Sequence, residues 1–250
     1  MQYTTSFYLT CVKLSSYFSS FDLGAGMVSF RGKMKTELVL IRHGETFWNR
    51  EGKLQGIGES GLTDLGIRQA EAAACAVKGE RFEAVYASPL IRAKKTAEII
   101  AAGLDPTIIF DKELVEWRLG IFEGLSIQDI AERYPEEYVH FSARKPDYVI
   151  PGGESSRRRY ERATGCLQRI AEKHPGGRVL VITHRGILDS VIRRIMFVPL
   201  DRLISYSQFN CALNTIEIDG DTWKLLTWGD ARHLNGIHKP ANTLQNGDAT

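Results

Sequence analysis

A three-layer α/β/α sandwich with a mostly parallel central sheet is the fold predicted for this 250-residue chain, on three observations. Residues 38–41, 82–87 and 178–183 are nearly continuous apolar runs rather than alternating ones, the mark of strands buried on both faces of a parallel sheet. Helical patterns lie between them, as crossover helices would. Residues 214–218 and 223–228 flank Asp219-Gly220-Asp221 and read as a late antiparallel hairpin.

The elements follow in order. Residues 1–33 are rich in Ser, Tyr and Phe, with Lys13 interrupting the apolar stretch, and match neither a signal peptide nor a membrane span. They are expected to be an extension outside the fold, with Met27 and Met34 as alternative starts. The folded domain is expected over 34–238, and the polar tail 239–250 is expected to be disordered. Thr63 is placed to cap a helix running to about Val77. Ser88-Pro89 reads as the N-cap and first position of the next helix, with Arg92 in its first turn and Ala93, Ala97 and Ile100 on one face. A third helix is expected after Ser126. A longer one spans about 155–173 and ends before Pro175 and Gly176-Gly177. Ile187, Val191 and Ile195 form the apolar stripe of a helix that starts beside His184.

Composition narrows the function. At 43% apolar and 25% charged the chain is an ordinary globular protein of one domain. A net charge of +2 argues for neither nucleic acid nor an acidic membrane surface as partner. Cys11, Cys75, Cys166 and Cys211 are scattered without a CxxC pair. Metal ligation and a disulfide framework are therefore not expected, and a reducing cytoplasm is the expected compartment.

The strand ends carry the chemistry. The first run leads directly into Arg42-His43-Gly44-Glu45, the second into Ser88-Pro89 with Arg92 close behind, and the third into His184-Arg185-Gly186. Ligands of parallel sheets sit beyond the carboxyl ends of the strands, so Arg42, His43, Arg92 and His184 are expected to meet at one edge. A cation and an imidazole there suit a phosphate ester. RHGET, SPLIRAKKTAE and VITHRG, in that order, resemble the histidine phosphatase superfamily, whose best-known branch is the phosphoglycerate mutases. The resemblance covers about residues 34–234.

The resemblance implies a role for each matching residue. His43 is the nucleophile: a neutral imidazole attacks phosphorus in line, gives a phosphohistidine and is freed by water. In the family its other ring nitrogen donates to a main-chain carbonyl, and Gly44 gives the backbone freedom to supply one. Arg42 and Arg92 clamp the phosphoryl oxygens, Arg92 aided by the amides of its helix N-terminus. His184 contacts the transferring group and helps keep His43 neutral. Glu116, in the segment 113–124, is the general acid, with Trp117 and a dry pocket expected to raise its pKa; Glu113 and Glu123 are substitutes. Asn49, Gln55 and Gly56 match positions bordering the phosphate pocket, and Thr183 orients His184. No metal and no cofactor are expected: HGE lacks HExxH spacing and the arginines oppose a bound cation.

Only about 27 residues separate Gly124 from the segment Gly152-Gly153-Glu154-Ser155, whereas mutases of the family carry a longer basic insertion there. A metal-independent phosphomonoester hydrolase acting on a small phosphorylated metabolite is the expectation. Mutase-type transfer and a non-catalytic phospho-ligand module are the alternatives. Phe47, Trp48, Tyr134, Tyr138, Phe141 and Tyr148 could line a leaving-group pocket, although most aromatics are core. Arg157-Arg158-Arg159 reads as a solvated helix face, and Arg185, where the family commonly has glycine, could narrow the pocket or add an anion contact. The late hairpin offers an edge that could pair in a homodimer.

Overall fold

The computed structural model describes residues 35–237, which belong to one compact unit. The expected extension and tail, with Met27, Met34, Cys11 and His238, lie outside the described residues. Six strands form one sheet: β1 (Thr36–Arg42), β2 (Ala84–Ala87), β3 (Ile108–Phe110), β4 (Arg178–Thr183), β5 (Leu213–Asp219) and β6 (Thr222–Asp230). Their order is β3-β2-β4-β1-β5-β6. β1 and β2 both pair with β4 in parallel, β3 pairs with β2 in parallel, and β5 and β6 are antiparallel.

The helices are α1 (Phe47–Arg50), α2 (Asp64–Ala76), α3 (Ile91–Ala101), α4 (Ile127–Arg133), α5 (Pro135–Ser142), α6 (Ser156–Lys173) and α7 (Arg185–Met196). The strand period of two divides the apolar runs between two cores. Leu38, Leu40, Val179, Val181 and Ile216 point to the side covered by α6 and α7, through Leu167, Ile170, Ile187 and Val191. Val39, Ile41, Val85, Leu180 and Ile182 point to the side covered by α2 and α3, through Ala70, Ala73, Ala93 and Ala97. This is the three-layer sandwich expected, and the continuous apolar runs are continuous because both faces are buried. A smaller cluster around Phe122 and Ile130 takes in Trp117, Tyr134, Tyr138, Phe141 and Tyr148. Those five aromatics pack the 117–150 region on itself.

Two helix starts match their caps: the Thr63 side chain accepts from Gly66 N, and Ser126 from Asp129 N. The start of α3 differs, because Leu90, not Ser88, is its N-cap and makes no side-chain cap bond. The Ser88 hydroxyl faces the ring of His184 instead, 2.7 Å away. The expected solvated run on α6 also differs: Arg157 and Arg158 are exposed, but Arg159 is 6% exposed, paired with Asp189 and stacked 4.7 Å over the Trp117 ring.

Candidate active site

The sheet register brings the strand ends level. Arg42 is opposite Thr183 in the β1–β4 pair, and Ala87 is opposite Ile182 in the β2–β4 pair. Two more main-chain bonds extend the ladders, from His43 N to Thr183 O and from Ser88 N to Ile182 O, each 3.0 Å. His43, Ser88 and His184 are thereby fixed side by side. The His43 and His184 ring centroids are 5.2 Å apart with planes tilted by 56°.

His43 is 2% exposed, and its Nδ1 lies 2.8 Å from Gly44 O. A carbonyl only accepts, so Nδ1 carries the proton and Nε2 keeps its lone pair. The expectation that Gly44 is present for backbone freedom needs revising. Its φ is not positive; a Cβ there would stand 2.4 Å from Gly66 O at the start of α2. The residue is small because the loop after β1 packs directly on α2. Gly44 N is in turn held by Thr96 Oγ1 from α3.

His184 is fully buried, with Nε2 at Ser88 Oγ and Nδ1 without a hydrogen-bond partner among the described residues. Ser88 Oγ accepts from Leu90 N at 3.3 Å and keeps its own proton free to rotate; where it donates that proton to His184 Nε2, the imidazole carries its hydrogen on Nδ1. His184 then offers Nδ1–H as a donor inside the site. Thr183, expected to orient His184, donates to Leu114 O at 2.9 Å and so ties β4 to the segment that carries Glu116.

Arg92 is completely buried and donates through Nη1 to Gly58 O (2.8 Å) and through Nη2 to Gly56 O (2.6 Å). Arg42 donates from Nη1 to Gln208 O at 2.8 Å. In both, Nε is buried and has no hydrogen-bond partner among the described residues. Each arginine thus keeps its Nε–H, beside the second hydrogens on its Nη atoms, and with His184 Nδ1 these face an anion. Gly56 has φ +53°, and a Cβ there would meet the Glu123 carboxylate at 2.3 Å; the loop it belongs to is shaped around Arg92 and Glu123. Gln55 is buried, with Oε1 unpartnered, and Asn49 spends its side-chain oxygen on Thr46 N in the cap of α1.

The Glu116 carboxylate accepts from Trp117 N (2.7 Å) and from Gly186 N at the start of α7 (3.0 and 3.1 Å to its two oxygens). Gly186 is two residues after His184, so the carboxylate sits at the same helix start. Trp117 faces Arg159 and Phe141. Glu123, a substitute acid from the sequence, is committed to Ile57 N and Leu119 N. Glu113 pairs with Arg169 of α6 at a partly exposed position. His140 is exposed, His174 faces Glu83, and His233 faces Cys211 O behind the segment that meets Arg42.

The sequence did not single out the 206–211 segment. Gln208 O holds Arg42, Asn210 Nδ2 donates to His43 O (2.8 Å), and Cys211 N donates to Arg42 O (2.9 Å). No periodicity marks an irregular stretch, and only its amide-rich composition between α7 and β5 hinted at loop work.

Burial, with Arg92 and Arg42 beside it, pushes His43 well below an ordinary histidine; its bond to Gly44 O opposes this. His184 is pushed down by burial, then by Arg92, His43 and Arg42. Arg42 is lowered to about 10 by burial and by Arg185, and stays charged at neutral pH. Both histidines are thus neutral in the folded protein. Below the unfolded histidine value near 6.5 only the unfolded chain gains these protons, so each histidine lowers stability as pH falls towards its folded value. From pH 7 to 5.5 one such histidine contributes a loss of about 1 kcal/mol. Urea unfolding of His184→Gln should therefore show a pH-dependent loss smaller by that amount than wild type. An unchanged pH dependence would mean His184 is not held neutral.

Comparison with known proteins places this geometry. The family model described as histidine phosphatase superfamily (branch 1) matches residues 38–231. The chain is 41% identical over 202 residues to phosphoglycerate mutase-like protein 4 of Arabidopsis thaliana, covering 79% of this chain and 86% of that protein. It is 39% identical over 205 residues to the metal-independent phosphoserine phosphatase of the same plant, covering 81% and 84%. Among solved structures, Bacillus stearothermophilus YhfR superposes with a TM-score of 0.74 at 33% identity, over 81% of this chain and all of that one.

Proposed function

We propose that this chain, which belongs to the histidine phosphatase superfamily, hydrolyses a small phosphomonoester through a phosphohistidine on His43. The observation that carries this reading is the fixed tautomer of His43: Nδ1–H is spent on Gly44 O, so Nε2 is a lone pair beside buried arginines.

The phosphoryl group lies against the Nε–H groups of Arg42 and Arg92 and Nδ1–H of His184. Nε2 of His43 attacks phosphorus as the P–O bond to the leaving group breaks, and charge builds on oxygens that already face three donors. Glu116 gives its proton to the departing alkoxide. It then takes a proton from the water that attacks phosphohistidine, which releases inorganic phosphate and restores His43. Asn49, Gln55 and Gly56 border the pocket. Two guanidinium groups beside the histidines oppose a cation, which fits metal-independent turnover.

The substrate class we infer is a metabolite with a second acidic group, phosphoserine foremost. The relative named metal-independent phosphoserine phosphatase supports this, as does Arg185, whose positive charge is felt by Arg42 at the exposed start of α7. The name of the other plant relative keeps mutase activity as the second reading. Phosphorus NMR of the protein in chelator with phosphoserine, 3-phosphoglycerate and nucleoside monophosphates tests both. Inorganic phosphate growing from phosphoserine is expected; isomerisation of 3-phosphoglycerate without release would replace the proposal with the mutase reading. No change in any resonance would favour a phospho-ligand binding module.

A further inference from the structure

Arg162 and Glu154 take no part in the chemistry above, yet they grip the segment that carries Glu116. Arg162, in the middle of α6 and with its side chain 13% exposed, donates through Nη1 to Glu113 O (2.7 Å) and Val115 O (2.8 Å) and through Nη2 to Glu116 O (3.1 Å). Its Nε and Nη2 also face the two carboxylate oxygens of Glu154, whose side chain is 9% exposed. Glu154 holds the same segment from the other side. Its Oε1 accepts from Arg118 N (3.2 Å), its main-chain N donates to Arg118 O (2.9 Å), and its main-chain O accepts from Trp117 Nε1 (2.9 Å). A Cβ on neighbouring Gly153 would stand 2.3 Å from Arg118 O, so the two backbones run in direct contact.

The energetics explain why such a pair would be kept. Residues 113–118 are irregular, apart from one short 3-10 turn at Lys112–Leu114, and lack a sheet or helix ladder for their carbonyls. Buried carbonyls need partners, and a buried guanidinium needs acceptors; each supplies the other. An acid must also be held at hydrogen-bond reach of the oxygen it protonates, to within a fraction of an ångström of the productive geometry, which an unsupported loop does not achieve.

We propose that the Arg162–Glu154 pair is the positioning device for Glu116, fixing the backbone of 113–118 so that the carboxyl reaches the leaving oxygen. This rests on Glu116 being the general acid. A leaving-group comparison separates positioning from a merely structural role. A 4-nitrophenolate departs without a proton, whereas an alkoxide such as that of phosphoserine does not. Single-turnover phosphoenzyme formation is measured with both substrates for wild type, Arg162→Ala, Arg162→Lys, Glu154→Gln and Glu116→Gln. In Arg162→Ala the alkyl phosphate should react about 100-fold more slowly and the aryl phosphate within about threefold of wild type. Arg162→Lys keeps the charge without the fork and should retain most of that selectivity. Glu154→Gln, a milder change, carries the same comparison if Arg162→Ala folds poorly. Equal slowing of both substrates, or slowing of neither, in the folded variants overturns the proposal. Glu116→Gln treating the two substrates alike would instead remove the general-acid reading, and that result needs no Arg162 variant to be seen.

Discussion

His43→Ala is expected to lower phosphate release by about 10⁴-fold or more and to abolish the covalent phosphoenzyme. Among the described residues the ring makes one hydrogen bond, to Gly44 O of the next residue, so its removal breaks no long-range contact of that kind there. The loop stays anchored without it, through Gly44 N on Thr96, His43 N on Thr183 O and Asn210 on His43 O. The variant should therefore fold, and should still bind inorganic phosphate through Arg42, Arg92 and His184. The loss should fall on kcat and leave phosphate affinity near that of wild type. Quenching with labelled substrate checks it directly: wild type should give a base-stable, acid-labile phosphoramidate and the variant none. Wild-type turnover in the variant would remove His43 from the mechanism.

How far the sequence reveals this molecule depends on what kind of signal each part leaves. The buried strands and the faces of α2, α3, α6 and α7 were legible because burial on a regular backbone imposes a period. The placement of Arg42, His43, Arg92 and His184 was legible because each lies at or shortly beyond a strand end, where a polar motif interrupts an apolar run. Aperiodic parts were not. Gln208 and Asn210 reach Arg42 and His43 from an irregular segment, and nothing local announces which carbonyl a distant arginine will use. Ser88 was misread as a cap, because serine before proline satisfies the local rule for a helix start while the tertiary contact to His184 overrides it. Arg159 was misread for a similar reason: three successive arginines look solvated, yet α6 turns one of them inward onto Asp189 and Trp117. In each case a side chain's partner lies far away in sequence, and composition does not encode that.

Arg92 gives the second large effect. Arg92→Ala is expected to reduce kcat by about 10³-fold, the cost of losing a preorganised charge at the phosphoryl oxygens. Arg92→Lys should recover little of it. Nη1 and Nη2 of the arginine are occupied by Gly58 O and Gly56 O while Nε is left for the anion, and one ammonium cannot serve all three positions. The same side chain thus shapes the 56–58 loop and supplies the clamp. The diagnostic measurement is the acid limb of the pH–kcat/KM profile with an aryl phosphate. After burial, Arg92 is the largest influence holding His43 below an ordinary histidine, and the largest charge acting on His184. Removing that charge makes protonation easier, so both histidines rise towards 6.5 and the acid limb should move to higher pH. Arg92→Lys, keeping a positive charge nearby, should leave the limb close to wild type even though its kcat is low. A kcat loss in both variants with a shift only in alanine would separate the field of Arg92 from its hydrogen bonds. An acid limb that stays put in Arg92→Ala would mean that burial together with Arg42 suffices to keep His43 neutral.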